Sequence, residues 1–306
     1  MDNYPRTLRE FQHWFGSEDA CRAYLVHLRW PDGFRCPRCQ HERAWLTSRQ
    51  VYHCQRCGGQ TSVTAGTIFQ DTRKPLRLWF EAIWYLVNQK NGVSALGLQR
   101  MLGFSRYETV WGWLHKLRIA MVRPGRECLS GTVEVDETFM GGPRTGKRGR
   151  GAAGKTLVLI AVEDRGTHLG RIRLRRVVDA TAPSLLAAVQ AGGEQGSVVR
   201  TDGWRSYTAL PPAGYRHVVV RQTAEVGENL LPLVNRVAAL LKRGLQGTHQ
   251  GAVRPSHLDY YLDEFTFRFN RRTSRSRGKL FFRLVQQAVA LEPVTQTALR
   301  GFQSEP

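Results

Sequence analysis

The chain has 306 residues, with 45 Lys and Arg against 25 Asp and Glu, a formal charge of +20 and an isoelectric point near 10.5. Its 42% hydrophobic and 10% aromatic content is enough for two or three compact cores, which excludes a chain that is disordered throughout. A cation surplus of this size selects polyanions, nucleic acid first; a merely basic soluble protein or one held on an anionic membrane surface are the alternatives.

The opening "MDNYPRTLREFQ" lacks the apolar core of a signal peptide. The longest aliphatic run near the middle, "TLVLIAV", is too short to span a bilayer, so a cytoplasmic location is expected. Residues 1–30 read as a helical lead-in, with Ser17 as N-cap, acids in the first turn and an apolar stripe through Cys21, Tyr24, Leu25 and Leu28.

Residues 31–65 carry two CxxC pairs, Cys36 with Cys39 and Cys54 with Cys57, separated by 14 residues that alternate like a hairpin. Two such turns aim four thiolates at one ion, so a zinc ribbon with a structural, closed S4 zinc site is expected; a redox dithiol is the alternative. Cys21 and Cys128 stand alone.

Residues 70–125 read as helices. "KPLRLWFEAIWYLVNQ" has an i, i+3, i+4 apolar stripe, and "GVSALGLQRMLGFSRYETVWGWLHKLR" gives helix, a break at Gly103, and helix again. That is a helix-turn-helix pattern, with Ser105 expected to cap the second helix and Arg106, Tyr107 and Thr109 at its front, where base edges are read. An ordinary helical hairpin is the alternative.

From residue 131 the period changes to that of strands. "GTVEVDETF", "KTLVLIAVED", "RIRLRRVVD", "SVVRTD" and "YRHVVVR" are the five strands. The helix "TAPSLLAAVQA" lies before the fourth, and tolerates Pro183 in its first turn. A short helical piece precedes the fifth strand and a longer helix, "ENLLPLVNRVAALLKRG", follows it. A mixed α/β sheet fits this order, a three-stranded meander extended by two crossover strands. The stretch "GPRTGKRGRGAAG", residues 142–154, cannot build a core and reads as a mobile basic loop, with Lys147, Arg148 and Arg150 expected to contact phosphate; a disordered, solvated loop is the alternative. Residues 130–290 are expected to form this domain and 291–306 a tail.

Asp136 ends the first strand of the domain and Asp202 the fourth, 66 residues later. Converging carboxylates repel unless a divalent cation neutralises them, and Mg²⁺ takes one or two carboxylates and fills its shell with water and phosphate. A turn or cap role for each Asp is the bland alternative, and Glu134 and Glu137 flank Asp136 as competing ligands. On the last helix of the sheet domain, Asn235 and Lys242 lie seven residues apart, two turns, with Ala238 and Ala239 between them.

Taken together, "RWPDGFRCPRCQ", "CQRCG", "VEVDETFMGG", "TDGWRSY", "LKRGLQGTHQG" and "YLDEFTFRFNRR" resemble an insertion-sequence transposase of the insertion sequence 1595 family, ISXO-two type. They are spread from about residue 10 to residue 290. The resemblance implies a ribonuclease-H-like catalytic sheet with helices, preceded by the zinc ribbon and the helix-turn-helix. It implies a metal-site triad of Asp136, Asp202 and a residue on the helix after the fifth strand. Many transposases have Glu there; this chain has Asn235, with Lys242 facing a phosphate or leaving group, and Glu228 is the rival third acid. Two catalytic Mg²⁺ ions, with Mn²⁺ able to substitute, double-stranded DNA as transposon ends and target, and a homodimer or higher oligomer are implied as well. Arg243, His249, Arg268, Arg271 and Arg272 are expected to contact DNA, against a bland reading of "RFNRR" as a helix end packed by aromatics. A regulator of the same fold without catalysis and a plain nuclease are the competing functions.

Overall fold

The computed structural model describes residues 4–123, 125–141, 155–222, 229–251 and 253–301. The chain forms two compact units, residues 1–123 with 274–306, and residues 124–273.

The first unit opens with α1 (Leu8–Trp14) and α2 (Glu18–Arg29), whose first turns are capped by Thr7 and, as its position predicts, by Ser17. A three-stranded antiparallel sheet follows, β1 (Ala44–Leu46), β2 (Val51–Cys54) and β3 (Gln60–Ser62). Then come α3 (Leu76–Asn88), α4 (Ala95–Leu102) and α5 (Tyr107–Ala120). Ser94 caps α4, and Gly103 ends it at φ 68°, a left-handed turn that a Cβ would strain. Ser105 does not cap α5. The helix starts at Tyr107, so the N-cap position falls on Arg106, whose side chain makes no capping bond, and Ser105 lies one residue too early.

The remaining helices of this unit are α9 (Arg277–Ala290) and α10 (Gln296–Gly301). Residues 277–290, expected in the catalytic domain, belong here because the buried face of α9 completes an aromatic core. Phe281 lies 5.4 Å from Phe11 and 5.5 Å from Phe80, and Phe11 stacks on Trp84 at 4.7 Å. The supposed tail also contributes: Gln296 donates from its amide to the backbone carbonyl of Glu108 in the first turn of α5.

The second unit is built on a five-stranded mixed sheet in the order β6-β5-β4-β7-β8. Its strands are β4 (Thr132–Met140), β5 (Thr156–Asp164), β6 (Leu169–Val177), β7 (Val198–Thr201) and β8 (Arg216–Val219). β4, β5 and β6 are an antiparallel meander, and β7 and β8 extend it in parallel from β4. "TLVLIAV" is apolar throughout because β5 is covered on both faces. Leu157, Leu159 and Ala161 join α6 (Ala182–Gln190) on one side; Val158, Ile160 and Val162 join α7 (Pro232–His249) and α8 (Leu258–Asn270) on the other. This is a ribonuclease-H-like arrangement, preceded by a zinc-ribbon-like cysteine cluster.

β6 is an edge strand, and α8 covers it. Asn270 accepts from the Ile172 amide at 2.7 Å and donates to the Ile172 carbonyl at 3.1 Å, which satisfies backbone groups an exposed edge would leave open. No helix among the described residues is long and apolar enough to cross a membrane.

Candidate functional site

The ribbon brings its four cysteines together. The Sγ atoms of Cys36, Cys39, Cys54 and Cys57 all lie within 4.8 Å of one another, with Cys36 to Cys57 at 3.7 Å and Cys39 to Cys54 at 3.6 Å. A tetrahedron with Zn–S bonds of about 2.3 Å has S–S edges of about 3.8 Å, so the donor set fits zinc. The two turns are built alike. Gln40 and Gly58, each four residues after the first cysteine of its pair, are left-handed at φ 61° and 65°, and each donates its amide back to that cysteine's carbonyl. Local chain geometry therefore forms the site, which the CxxC spacing announces.

The second cluster depends on strand register. β4 and β7 pair in parallel at Thr132↔Val198, Val133↔Val199 and Glu134↔Arg200. Continuing that offset by two residues sets Asp136 opposite Asp202. Ile160, the partner of Asp136 on β5, belongs to the core on the α7 side, so Asp136 faces α7; it stands in the middle of β4 and not at the strand's end, because β4 runs on to Met140, whereas Asp202 directly follows the last residue of β7. Both are half-buried. Asp136 accepts from the Glu137 amide at 2.8 Å, Asp202 accepts from the Trp204 amide at 2.9 Å, and the Arg221 guanidinium stands 3.7 Å from the other Asp202 oxygen.

The acids flanking Asp136 have other work. Glu137 points to the opposite face of the sheet and accepts from the Tyr207 hydroxyl at 2.7 Å. Burial first, then the charges of Glu137, Asp136 and Asp202, hold the Tyr207 phenol well above its ordinary pKa, so it remains a donor. Glu134, 3% exposed, accepts from the backbone amides of Leu233 and Val234 in the first turn of α7. Behind Asp202, the Thr201 hydroxyl accepts from the Gly203 amide at 3.1 Å and meets His217 Nε2 at 2.8 Å. Burial lowers the His217 pKa and favours its neutral form.

Asn235 and Lys242 are both exposed on α7, outside the stripe of Val234, Val237 and Leu241 that fills the core. Asn235 donates its amide nitrogen to Asn229 at 2.6 Å, which leaves its carbonyl as the side-chain acceptor. Glu228 lies outside the described residues, as do Lys147, Arg148 and Arg150.

The remaining DNA candidates divide. Arg106 and Tyr107 are exposed and Thr109 is half-buried, while α5 is buried through Val110, Gly112–His115, Leu117, Arg118 and Ala120. Its front is the most exposed part and offers a reading surface. Arg243 is exposed, and the His249 ring packs 4.5 Å from Tyr261. Arg268, Arg271 and Arg272 are engaged inside their own unit. Arg268 bonds Glu264 at 2.7 Å, with the two side chains 12% and 5% exposed. Arg271 and Arg272 lie 4.2 Å over Phe267 and Phe269, and Arg272 also donates to the carbonyls of Leu169 and Gly170. "YLDEFTFRFNRR" thus follows from covering the β6 edge.

Two features beside Asp202 escaped sequence reasoning. Trp204 and Arg205 are exposed next to it, and the Trp204 indole donates to the Ala180 carbonyl at 3.4 Å. Arg221 reaches it from the end of β8; no local pattern links residues 202 and 221, only the adjacency of β7 and β8.

Comparison with known proteins places these observations. Residues 128–270 match the ISXO2-like transposase domain, and residues 16–60 match the transposase zinc-ribbon domain. An uncharacterized protein in transposable element ISH50 of Halobacterium salinarum is 29% identical over 310 residues, spanning 93% of this chain and 98% of that protein.

Proposed function

Because its ribbon and its sheet domain both belong to the insertion sequence 1595 transposase family, we propose that the chain works as a DNA transposase with a two-step chemistry. It binds the terminal inverted repeats of its element, hydrolyses a phosphodiester at the element's end, and directs the freed 3′-OH to attack a phosphodiester of target DNA, which joins the element to the target's 5′ side and releases a target 3′-OH. The carrying observation is the parallel register of β4 and β7, whose offset, continued by two residues, brings Asp202 opposite Asp136.

Two half-buried carboxylates, one on β4 and one just past the end of the neighbouring β7, are a suitable donor set for hard divalent cations. Two Mg²⁺ ions, replaceable by Mn²⁺, would supply activation of the attacking oxygen and stabilisation of the leaving one. Asp136 and Asp202 hold the negative charge that fixes the ions. Asn235 offers a neutral carbonyl oxygen, a weaker ligand than the acid usual at this position. Lys242, two turns along the same face, meets a DNA phosphate and adds the charge that the amide lacks. Tyr207, bonded to Glu137 next to Asp136, and His217, bonded to Thr201 next to Asp202, keep the aspartates in place.

Arg106, Tyr107 and Thr109 at the front of α5 read the terminal repeats, the ribbon adds contacts, and Arg243 and His249 follow the phosphate backbone. The chain's surplus of cations makes the binding strongly salt-dependent. Joining two ends to one target calls for a dimer at least.

The test is end cleavage by Asp136→Ala and Asp202→Ala. Each change should lower cleavage by roughly 100-fold or more while end binding stays near that of the wild type. Cleavage that survives both changes overturns the site. One observation favours a second reading: Asn235 stands where an acid would bring charge. A wild-type protein that binds ends specifically and never cleaves them with Mg²⁺ or Mn²⁺ would establish a regulator instead.

A further inference from the structure

We infer that Glu134 is a positioning residue for the candidate site: its carboxylate pins the first turn of α7 to β4, two residues from Asp136, and so fixes where Asn235 stands. The inference rests on the reading of Asp136, Asp202 and Asn235 as one metal site.

The α7 sequence provides no N-terminal cap of its own. Its N-cap residue is Leu231, with no side-chain capping bond, and its first turn contains no acidic residue. The first amides of a helix need acceptors, and Pro232 removes one of them. The amides of Leu233 and Val234 find theirs 99 and 100 residues away, where one oxygen of Glu134 accepts both at 2.9 and 3.1 Å. A serine or aspartate at position 231 would satisfy the same amides from within the helix, without burying a carboxylate. A cap carried by the strand does what a local cap cannot: it ties the helix to the strand that bears Asp136.

The placement gives this tie a chemical consequence. Glu134 and Asp136 are two residues apart on β4 and share the α7 face. Val234, which donates to Glu134, directly precedes Asn235. Val234, Val237 and Leu241 hold the helix against the sheet, and apolar packing of that kind sets its rotation. It is non-directional along the helix axis. The paired hydrogen bonds to one fixed oxygen supply the missing constraint and place Asn235 at a set position relative to Asp136. Glu134 touches neither metal nor DNA in this scheme; it acts through α7.

The experiment uses the full-length, zinc-loaded protein with a duplex oligonucleotide bearing a pre-cleaved end of its own element. Joining rate is measured against Mn²⁺ concentration, with end-DNA affinity and thermal melting measured in parallel. Glu134→Ala should raise the Mn²⁺ concentration for half-maximal joining by about tenfold or more, the scale seen when a supporting partner of a metal ligand is removed. End-DNA affinity should change by less than about twofold, because the reading surface on α5 is untouched. Glu134→Gln, which keeps an acceptor oxygen at the same reach, should return the Mn²⁺ requirement to within about threefold of wild type.

Should the Ala variant fail to fold, Glu134→Asp decides, since it retains the charge and withdraws the acceptor by one methylene. A folded Asp variant with a raised Mn²⁺ requirement supports the inference. A folded variant, Ala or Asp, with unchanged Mn²⁺ dependence overturns it. So does an equal loss at every Mn²⁺ concentration accompanied by a lower melting temperature, which marks Glu134 as merely structural. Asp136→Ala run alongside keeps the two readings apart. If that control still joins ends, the metal site itself is wrong; if it is dead while Glu134→Ala behaves as wild type, the positioning role alone fails.

Discussion

The four thiols of the ribbon stand within 4.8 Å of one another, set there by two short turns of similar geometry, whereas Asp136 and Asp202 are 66 residues apart and only strand register brings them to neighbouring strands. The ribbon's ligands are all protein, their number is complete, and they leave no position for substrate, which is the character of a structural site. The sheet domain's candidate ligands are fewer: two half-buried aspartates and a neutral amide on an exposed helix face. An open coordination sphere lets water and phosphate enter, at the cost of weaker metal binding. The contrast teaches that a site built to hold shape can be local and closed. The candidate site of the sheet domain is instead assembled from distant elements, so whatever holds those elements in place bears on it.

The largest effect expected from breaking this contrast is at the ribbon. Stripping zinc with a chelator should unfold β1–β3, since structural zinc in such small domains contributes on the order of 10 kcal/mol. Amide exchange reads the outcome. The amides of β1–β3 should lose protection while those of β5 keep theirs, and a ribbon that stays protected without zinc would contradict a metal-built structure.

The next effect concerns the frame beneath the aspartates. Glu163, whose side chain is fully buried, accepts from the Ser130 and Arg171 amides and from the Arg171 and Arg165 guanidinium groups. Burial alone would raise its pKa, but the hydrogen bonds from Arg171 and Ser130 outweigh it and hold the carboxyl at about 2. Its folded-state pKa is therefore depressed. The stabilisation is fully present above the ordinary carboxylate pKa of about 4.5 and is lost as pH falls towards about 2. Glu163→Ala should cost about 3–5 kcal/mol at neutral pH, because it leaves Arg171 without its main partner. Urea melts of wild type and variant should converge as the pH drops through this window; curves that stay equally far apart would show that the ion pair is not the cause.

How much of this was legible in the sequence follows from how far apart the interacting residues lie. Cys36, Cys39, Cys54 and Cys57 announce their site by spacing, Ser17 announces its cap, and the unbroken "TLVLIAV" announces a strand covered on both faces. The offset between Asp136 and Asp202 becomes meaningful once "VEVDETF" and "VVRTD" are placed as parallel neighbours, a step the strand–helix–strand order supports. Other features have no local signature. Glu134 looks like a spare acid beside Asp136 until α7 is seen to start on it. Asn270 and Arg272 read as polar residues at the end of a basic helix until β6 is seen to need an edge cover. Residues 277–290 have the pattern of any amphipathic helix, and only the aromatic partners Phe11, Phe15 and Phe80 show which unit they complete.

The most direct measurement is a strand-transfer assay on pre-cleaved end DNA with Mg²⁺, comparing the wild type with Asn235→Ala. The site described above predicts that the wild type joins ends to target and that the Ala variant loses joining by roughly tenfold or more while it binds the same DNA. Equal joining by both proteins would contradict it: the third ligand would then lie elsewhere, with Glu228 the first position to test.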